Sequence, residues 1–177
     1  MIQYNMFTIV TVRFDNETWD LNNCYRIRKN IQCIYATPFK IAESIDINSP
    51  IFVIEMNNSK NQIMGIGLIK NKLVTEKVYK VQEDSNYNRY IYIGDYHISR
   101  EILDNYNPFL VYVLDNILFK GYTHSKRGSG LTKIPEKVFK LDVCEGINIK
   151  KEIKDLFIYH YRCKKLTKKG DNNLTKN

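Results

Sequence analysis

The chain is poor in the residues that announce chemistry. Its three histidines, His97, His124 and His160, fall in no H-x-x-x-H or H-E-x-x-H pattern, so no metal site is expected. Its four cysteines, Cys24, Cys33, Cys144 and Cys163, form no C-x-x-C pair and no Cys/His cluster with metal spacing. They read as buried free thiols in a reducing compartment. No apolar stretch nears the roughly 20 residues of a membrane span. The first residues, Met1 to Met6, carry no basic segment ahead of an apolar run, so no signal peptide is expected and the setting reads as soluble and intracellular. The phosphate-loop pattern Gly-x-x-x-x-Gly-Lys-Ser/Thr is missing, and Gly65-x-Gly67 is too short for a dinucleotide fingerprint. Arg127-Gly128-Ser129-Gly130 misses the Gly-x-Ser-x-Gly spacing of a nucleophile elbow, so Ser125 and Ser129 beside His124 make a weak case for hydrolysis. No catalytic residue, cofactor or metal is implied.

What is present is a basic globular chain. At 177 residues it suits one domain, and a charged fraction of 26% with 44% hydrophobic residues is ordinary for a packed core. The expected layout is a single α+β domain over 1–163 and a basic, polar, disordered tail over 164–177. A net charge of +8 favours an anionic partner such as nucleic acid. Lys, Asn, Ile and Tyr are abundant and have A/T-rich codons, which points to an AT-rich coding genome such as that of a large DNA virus or certain protists and tempers the weight of the lysines.

The local patterns predict mostly strands. Phe7 to Phe14 is β-branched and aromatic, and Ile31 to Ala36 is similar. Asp15 to Thr18 reads as a turn, and Trp19 to Asn30 shows no clean period. Thr37-Pro38 reads as a helix start, with Phe39, Ile41, Ala42 and Ile45 as its apolar face. Pro50 to Met56 and Gln62 to Lys70, joined by the polar 57–61, predict a β-hairpin. Gly65 and Gly67 alternate with Ile in its second strand, which implies a bulge or a close approach on the glycine face. Val74 to Val81 and Tyr87 to Gly94 predict two more strands. Arg100 to Tyr106 predicts a short helix, and Phe109 to Phe119 a buried helix or strand, the helix favoured by its length and by Pro108 near its start. A last helix from Asn148 should dock through Ile149, Ile153, Leu156, Phe157, His160 and Tyr161.

The most pointed segment runs from Lys120 to Lys133, Lys-Gly-Tyr-Thr-His-Ser-Lys-Arg-Gly-Ser-Gly-Leu-Thr-Lys. Glycines let a backbone turn sharply and approach a ligand, and bare N–H groups beside cations make an anion-binding concavity. Lys120, Tyr122, His124, Lys126, Arg127 and Lys133 are therefore the expected nucleic-acid contacts, with Tyr122 placed to stack on a base. His160 is expected to be structural, and His97 to serve a turn, with Asp95 its nearest potential partner.

The phrases Ile34-Tyr35-Ala36-Thr37-Pro38-Phe39, Ile51-Phe52-Val53-Ile54-Glu55 and Ile63-Met64-Gly65-Ile66-Gly67-Leu68-Ile69, followed by a basic glycine loop, resemble the PUA-like superfamily (PUA, ASCH, EVE and YTH domains) over roughly residues 31–140. That resemblance implies a twisted, mostly antiparallel sheet curled into a pseudobarrel that binds RNA or DNA, with no chemistry of its own in most members; RNA is expected ahead of DNA. EVE and YTH cages usually include Trp, whereas the single Trp here, Trp19, lies outside the matched region. Tyr35, Phe39, Tyr90 and Tyr92, with Gly65 and Gly67, would then form the base pocket. The rival readings are a structural or protein-interaction protein with no ligand and, more weakly, an enzyme acting on a nucleotide or RNA. No membrane partner is expected.

Overall fold

A computed structural model describes residues 7–171 of the chain, with side chains to residue 162. The fold is α+β. In chain order the elements are β1 (Thr8–Phe14), α1 (Asn16–Lys29), β2 (Cys33–Thr37), β3 (Pro50–Asn57), β4 (Gln62–Lys70), β5 (Tyr90–Gly94), β6 (Tyr96–Ser99), α2 (Arg100–Tyr106), α3 (Pro108–Phe119), β7 (Thr132–Lys133) and α4 (Ile149–Asp171). Five strands form one mixed sheet in the order β6-β4-β3-β1-β7, and β2 pairs with β5 in a second sheet. β1 and β3 run parallel and the remaining pairs are antiparallel. No closed barrel forms among the described residues. No helix among them is long and apolar enough to cross a membrane.

The period of two along β1 and β3 divides the core into two layers. Ile9, Phe52, Ile54 and Met56 face α2, α3 and α4 in one cluster, while Val10, Val12, Phe14, Ile51 and Val53 face β2 and β5 in another. α3 supplies the first cluster with an almost unbroken apolar run, capped by the Asn107 side chain and started by Pro108. α4 adds Ile149, Ile153, Leu156 and Phe157 to it, as the sequence spacing predicts.

The predicted hairpin is present as β3 and β4, with a register shift at Glu55/Met56. The extra residue, Met64, keeps Ile63 and Ile66 both on the helix face and leaves Gly65 and Gly67 toward β2 and β5. β5 turns into β6 at Gly94-Asp95 and so carries the chain from the small sheet to the large one. Gly94 is needed there, because an added Cβ would lie 2.1 Å from the Leu68 carbonyl oxygen.

Several local expectations give way to tertiary context. Asp15 to Thr18 is the start of α1 rather than a turn, and α1 continues through the stretch that lacks an apolar period. Its docking face mixes polar with aromatic residues: Asn22 donates to the Ile34 carbonyl and Arg26 reaches Glu55, while Tyr25 packs with Ile34, Val81 and Ile91 and Trp19 meets Phe14 edge-on. Thr37-Pro38 starts no helix, since the Thr37 hydroxyl donates to the Phe39 carbonyl instead of capping one. Val74 to Val81 is no strand; its backbone is tied at Val74 to Ile91 and at Val81 to the Asn88 side chain. Cys33 and Cys144 are buried, but Cys24 is exposed on α1. The α4 backbone is helical through Asp171, into the stretch expected to be a tail; residues 1–6 and 172–177 and the Cys163 side chain lie outside the described residues.

The α1 start carries one prediction. The Asp15 carboxylate accepts from the Thr18 amide at 2.8 Å, and the Thr18 hydroxyl accepts from the Asp15 amide at 3.0 Å. Asp15→Ala should cost about 1 kcal/mol in urea unfolding. The hydrogen bond from the Thr18 amide also holds the Asp15 carboxyl below its usual pKa. The contribution is therefore present at neutral pH and fades as pH falls through the lowered folded value.

Candidate functional site

The basic loop between α3 and β7 is pinned to the sheet at its centre. The Ser125 amide donates to the Leu118 carbonyl at 2.7 Å. Arg13, near the end of β1, donates its Nε–H to the Ser125 carbonyl and Nη1–H to the Thr132 hydroxyl. Asn58 Nδ2 donates to the Lys126 carbonyl at 3.0 Å, and Lys126 Nζ donates to Asn61 Oδ1 at 2.7 Å. His124 is occupied locally, its Nδ1 accepting the Lys126 amide at 3.3 Å. Gly121, Gly128 and Gly130 all have positive φ, so the path depends on glycine. Gly128 lies over the Arg13 guanidinium, an added Cβ falling 3.5 Å from Cζ. Lys120, Tyr122, Arg127 and Lys133 are exposed, and Tyr122 is fully so.

The pinned loop walls a cavity. Gly128, Ser129 and Gly130 face the ends of β1 and β2 across a space of about 460 Å³. Phe14, Leu21 and Pro38 give it apolar lining, and Tyr87, 44% exposed, lines it as well. Asp15, Glu17, Glu83 and Asp84 also line it, with Arg13 the cation among them. The cavity therefore disfavours a phosphate and suits an apolar body with N–H or O–H donors on its rim. None of the loop's four cations lines that cavity: Arg127 directly precedes its Gly128 wall, and Lys133 lines a separate groove beside Phe7, Ile9 and α4.

The residues expected to form a base pocket divide between interior and surface. Tyr35, Tyr92, Gly65 and Gly67 are interior. Tyr92 accepts the Ile41 amide at 3.0 Å and is 1% exposed. Tyr35 donates to Glu55 Oε1 at 2.8 Å, and His97 Nε2 meets Glu55 Oε2 at 2.8 Å. His97 thus pairs with Glu55 rather than Asp95. The glycines explain how. Glu55 on β3 sits opposite Gly65 on β4, and His97 on β6 sits opposite Gly67. The two side chains meet across a middle strand that is bare on that face at Gly65 and Gly67. An added Cβ at Gly65 would lie 2.8 Å from His97 Nε2, and one at Gly67 would lie 2.0 Å from the Tyr35 hydroxyl. The glycine face is therefore filled by the protein itself. Phe39 and Tyr90 remain near the surface: Phe39 is 61% exposed beside Gly130, and Lys40 and Arg89 each lie within 6 Å of the Tyr90 ring centroid.

This interior cluster is built to stay silent. Burial pushes the Cys33 thiol up to about 12, helped by the Glu55 charge, so it is no nucleophile at neutral pH. Burial and Glu55 likewise raise Tyr35, which keeps its proton for Glu55. Burial pushes Glu55 up, but His97, Arg26 and the Tyr35 hydroxyl outweigh it and hold the carboxyl below its usual value. Among the described residues no group of three His, Cys, Asp or Glu is placed to hold a metal ion.

Sequence reasoning missed Arg13, Phe14 and Tyr87. Arg13 had a signal: a cation inside Thr-Ile-Val-Thr-Val-Arg-Phe needs a specific partner when the strand is buried. The chain matches no protein-family model, no curated protein and no solved structure.

Proposed function

We propose that the chain is a non-catalytic nucleic-acid-binding module of PUA-like type, RNA ahead of DNA, whose two sheets form an open pseudobarrel. The observation that carries the reading is the pinned loop: exposed Lys120, Tyr122 and Arg127 are presented on a backbone that Arg13, Asn58 and Asn61 hold in place, and its glycines wall a cavity of ligand size. Preordering the loop removes part of the entropy lost on binding. Lys120, Lys126, Arg127 and Lys133 contact phosphates, and Tyr122 stacks on a base. A second base enters the cavity between Tyr87 and Gly130. The carboxylates there accept the N–H edge of a base or a ribose 2′-hydroxyl, which favours RNA. The pseudobarrel reading draws on the Gly94 corner between the sheets, on the core they enclose and on the cavity at the open seam between β1 and β2.

A salt series of binding to labelled RNA and DNA tests this. The variant with Tyr122→Ala, Lys126→Ala and Arg127→Ala should bind at least about tenfold more weakly, and its log–log salt slope should fall by roughly 1.4 to 1.8 for the two lost cations. Equal, weak binding by both proteins sinks the reading. It would shift weight to a protein-interaction role, for which the exposed Tyr106, Phe109, Tyr112 and Tyr159 on the opposite helices speak.

A further inference from the structure

Resting on that reading, we infer that the bound nucleic acid is single-stranded and crosses the cavity from the glycine loop to a second lip formed by Phe39, Lys40, Tyr87 and Arg89. The two lips are contiguous through β2. A Cβ on Gly130 would lie 3.7 Å from Thr37 Cβ and 3.9 Å from Phe39 Cδ2. Thr37 is in turn the cross-strand partner of Tyr90, over whose ring Lys40 Nζ and Arg89 Cζ sit at 5.8 and 5.7 Å. Tyr87 reaches the cavity from the turn just before Arg89. That turn is rigid: Asn88 Oδ1 accepts the Val81 and Gln82 amides, Asn88 Nδ2 donates to the Gln82 carbonyl, and Asp84 accepts the Asn86 amide.

Charge and exposure together select a single strand. Cations and exposed aromatics occur together in both segments: Tyr122 with Lys126 and Arg127 in the loop whose glycines wall the cavity, Phe39 and Tyr87 with Lys40 and Arg89 on the other side. Exposed Phe39, 61% accessible, costs free energy in water that a stacked base would recover. Between the lips lie the carboxylates of Asp15, Glu17, Glu83 and Asp84. A duplex would lay its phosphates over those carboxylates and hold its bases inward, stacked away from Phe39 and Tyr87. A single strand keeps its phosphates on the basic lips and turns its unstacked bases toward the aromatics and the acidic floor.

The experiment is fluorescence anisotropy with a 3-nucleotide RNA, a 12-nucleotide unstructured RNA, a 12-base-pair RNA duplex and the DNA equivalents, over a salt series. Wild type is compared with Lys40→Ala/Arg89→Ala and with Lys126→Ala/Arg127→Ala, thermal melting confirming that each variant folds. The 12-mer should bind at least about tenfold tighter than the duplex. Lys40→Ala/Arg89→Ala should weaken the 12-mer about tenfold and lower its salt slope by about 1.4, and should weaken the 3-mer, which reaches only one lip at a time, by less. Duplex binding at par with the 12-mer overturns the inference. So does a 12-mer affinity that Lys40→Ala/Arg89→Ala leaves intact while Lys126→Ala/Arg127→Ala abolishes it, a result that spares the loop reading. No binding to any probe overturns both.

Discussion

Glu55→Ala is expected to destabilise the protein by about 3–5 kcal/mol, read as a lower urea midpoint. Glu55 is 0% exposed and takes hydrogen bonds from three directions: Tyr35 at 2.8 Å, Arg26 at 3.3 Å and His97 at 2.8 Å. Deleting the carboxylate leaves a buried guanidinium and a buried phenol without their acceptor, and that desolvation cost, rather than the lost attraction, dominates. Because the folded carboxyl is held below its unfolded value of 4.5, its contribution is fully present above that value and is lost as pH falls below it. Urea melts between pH 3 and pH 7 should therefore show wild type losing stability on the acid side, and Glu55→Gln should flatten that slope while costing less than alanine at pH 7. A loss under about 1 kcal/mol for Glu55→Ala would sink the account of a dry, fully paired site.

The same cluster shows where sequence reading reaches its limit. The hairpin of β3 and β4 was legible because its alternation is local and both partners adjoin in sequence. α3 was legible because its apolar run is long and starts at Asn107-Pro108. The glycines of β4 announced a close approach, and the structure has one. What approaches, though, comes from β2 at Tyr35 and β6 at His97, and no local period encodes which residues tertiary packing brings over a bare strand face. α1 was illegible for a related reason: Asn22 and Arg26 dock beside Tyr25, so polar residues interrupt the apolar face that an amphipathic template expects. Val74 to Val81 alternates like a strand but has no ladder to join. For the candidate site, the loop 120–133 could be picked out by composition alone. Its anchors Arg13, Asn58 and Asn61 could not, because each is separated from it by many residues and identified only by contact.

Gly67→Ala should cost about 3 kcal/mol, at the upper end of what overpacking a core does. The new methyl would lie 2.0 Å from the Tyr35 hydroxyl and 2.9 Å from Cys33 Sγ. Tyr35 cannot step aside, since its ring is 1% exposed within the core between the sheets and its hydroxyl is fixed on Glu55. Tyr35→Phe in the same chain removes the clashing oxygen but leaves ring carbon Cζ only 3.0 Å from the methyl, so rescue should be partial. The double variant should therefore be more stable than the sum of the two single losses by about 1 kcal/mol or more. Gly121→Ala supplies the contrast. Nothing lies within 4 Å of its Cβ position, but its φ is +71°, so its cost is backbone strain alone, on the order of 1 kcal/mol, and Tyr35→Phe should not alter it. If Gly67→Ala and Gly121→Ala cost the same and neither couples to Tyr35, then β4 has slack that these distances deny, and the glycines are there for strand geometry rather than to let Glu55, His97 and Tyr35 meet.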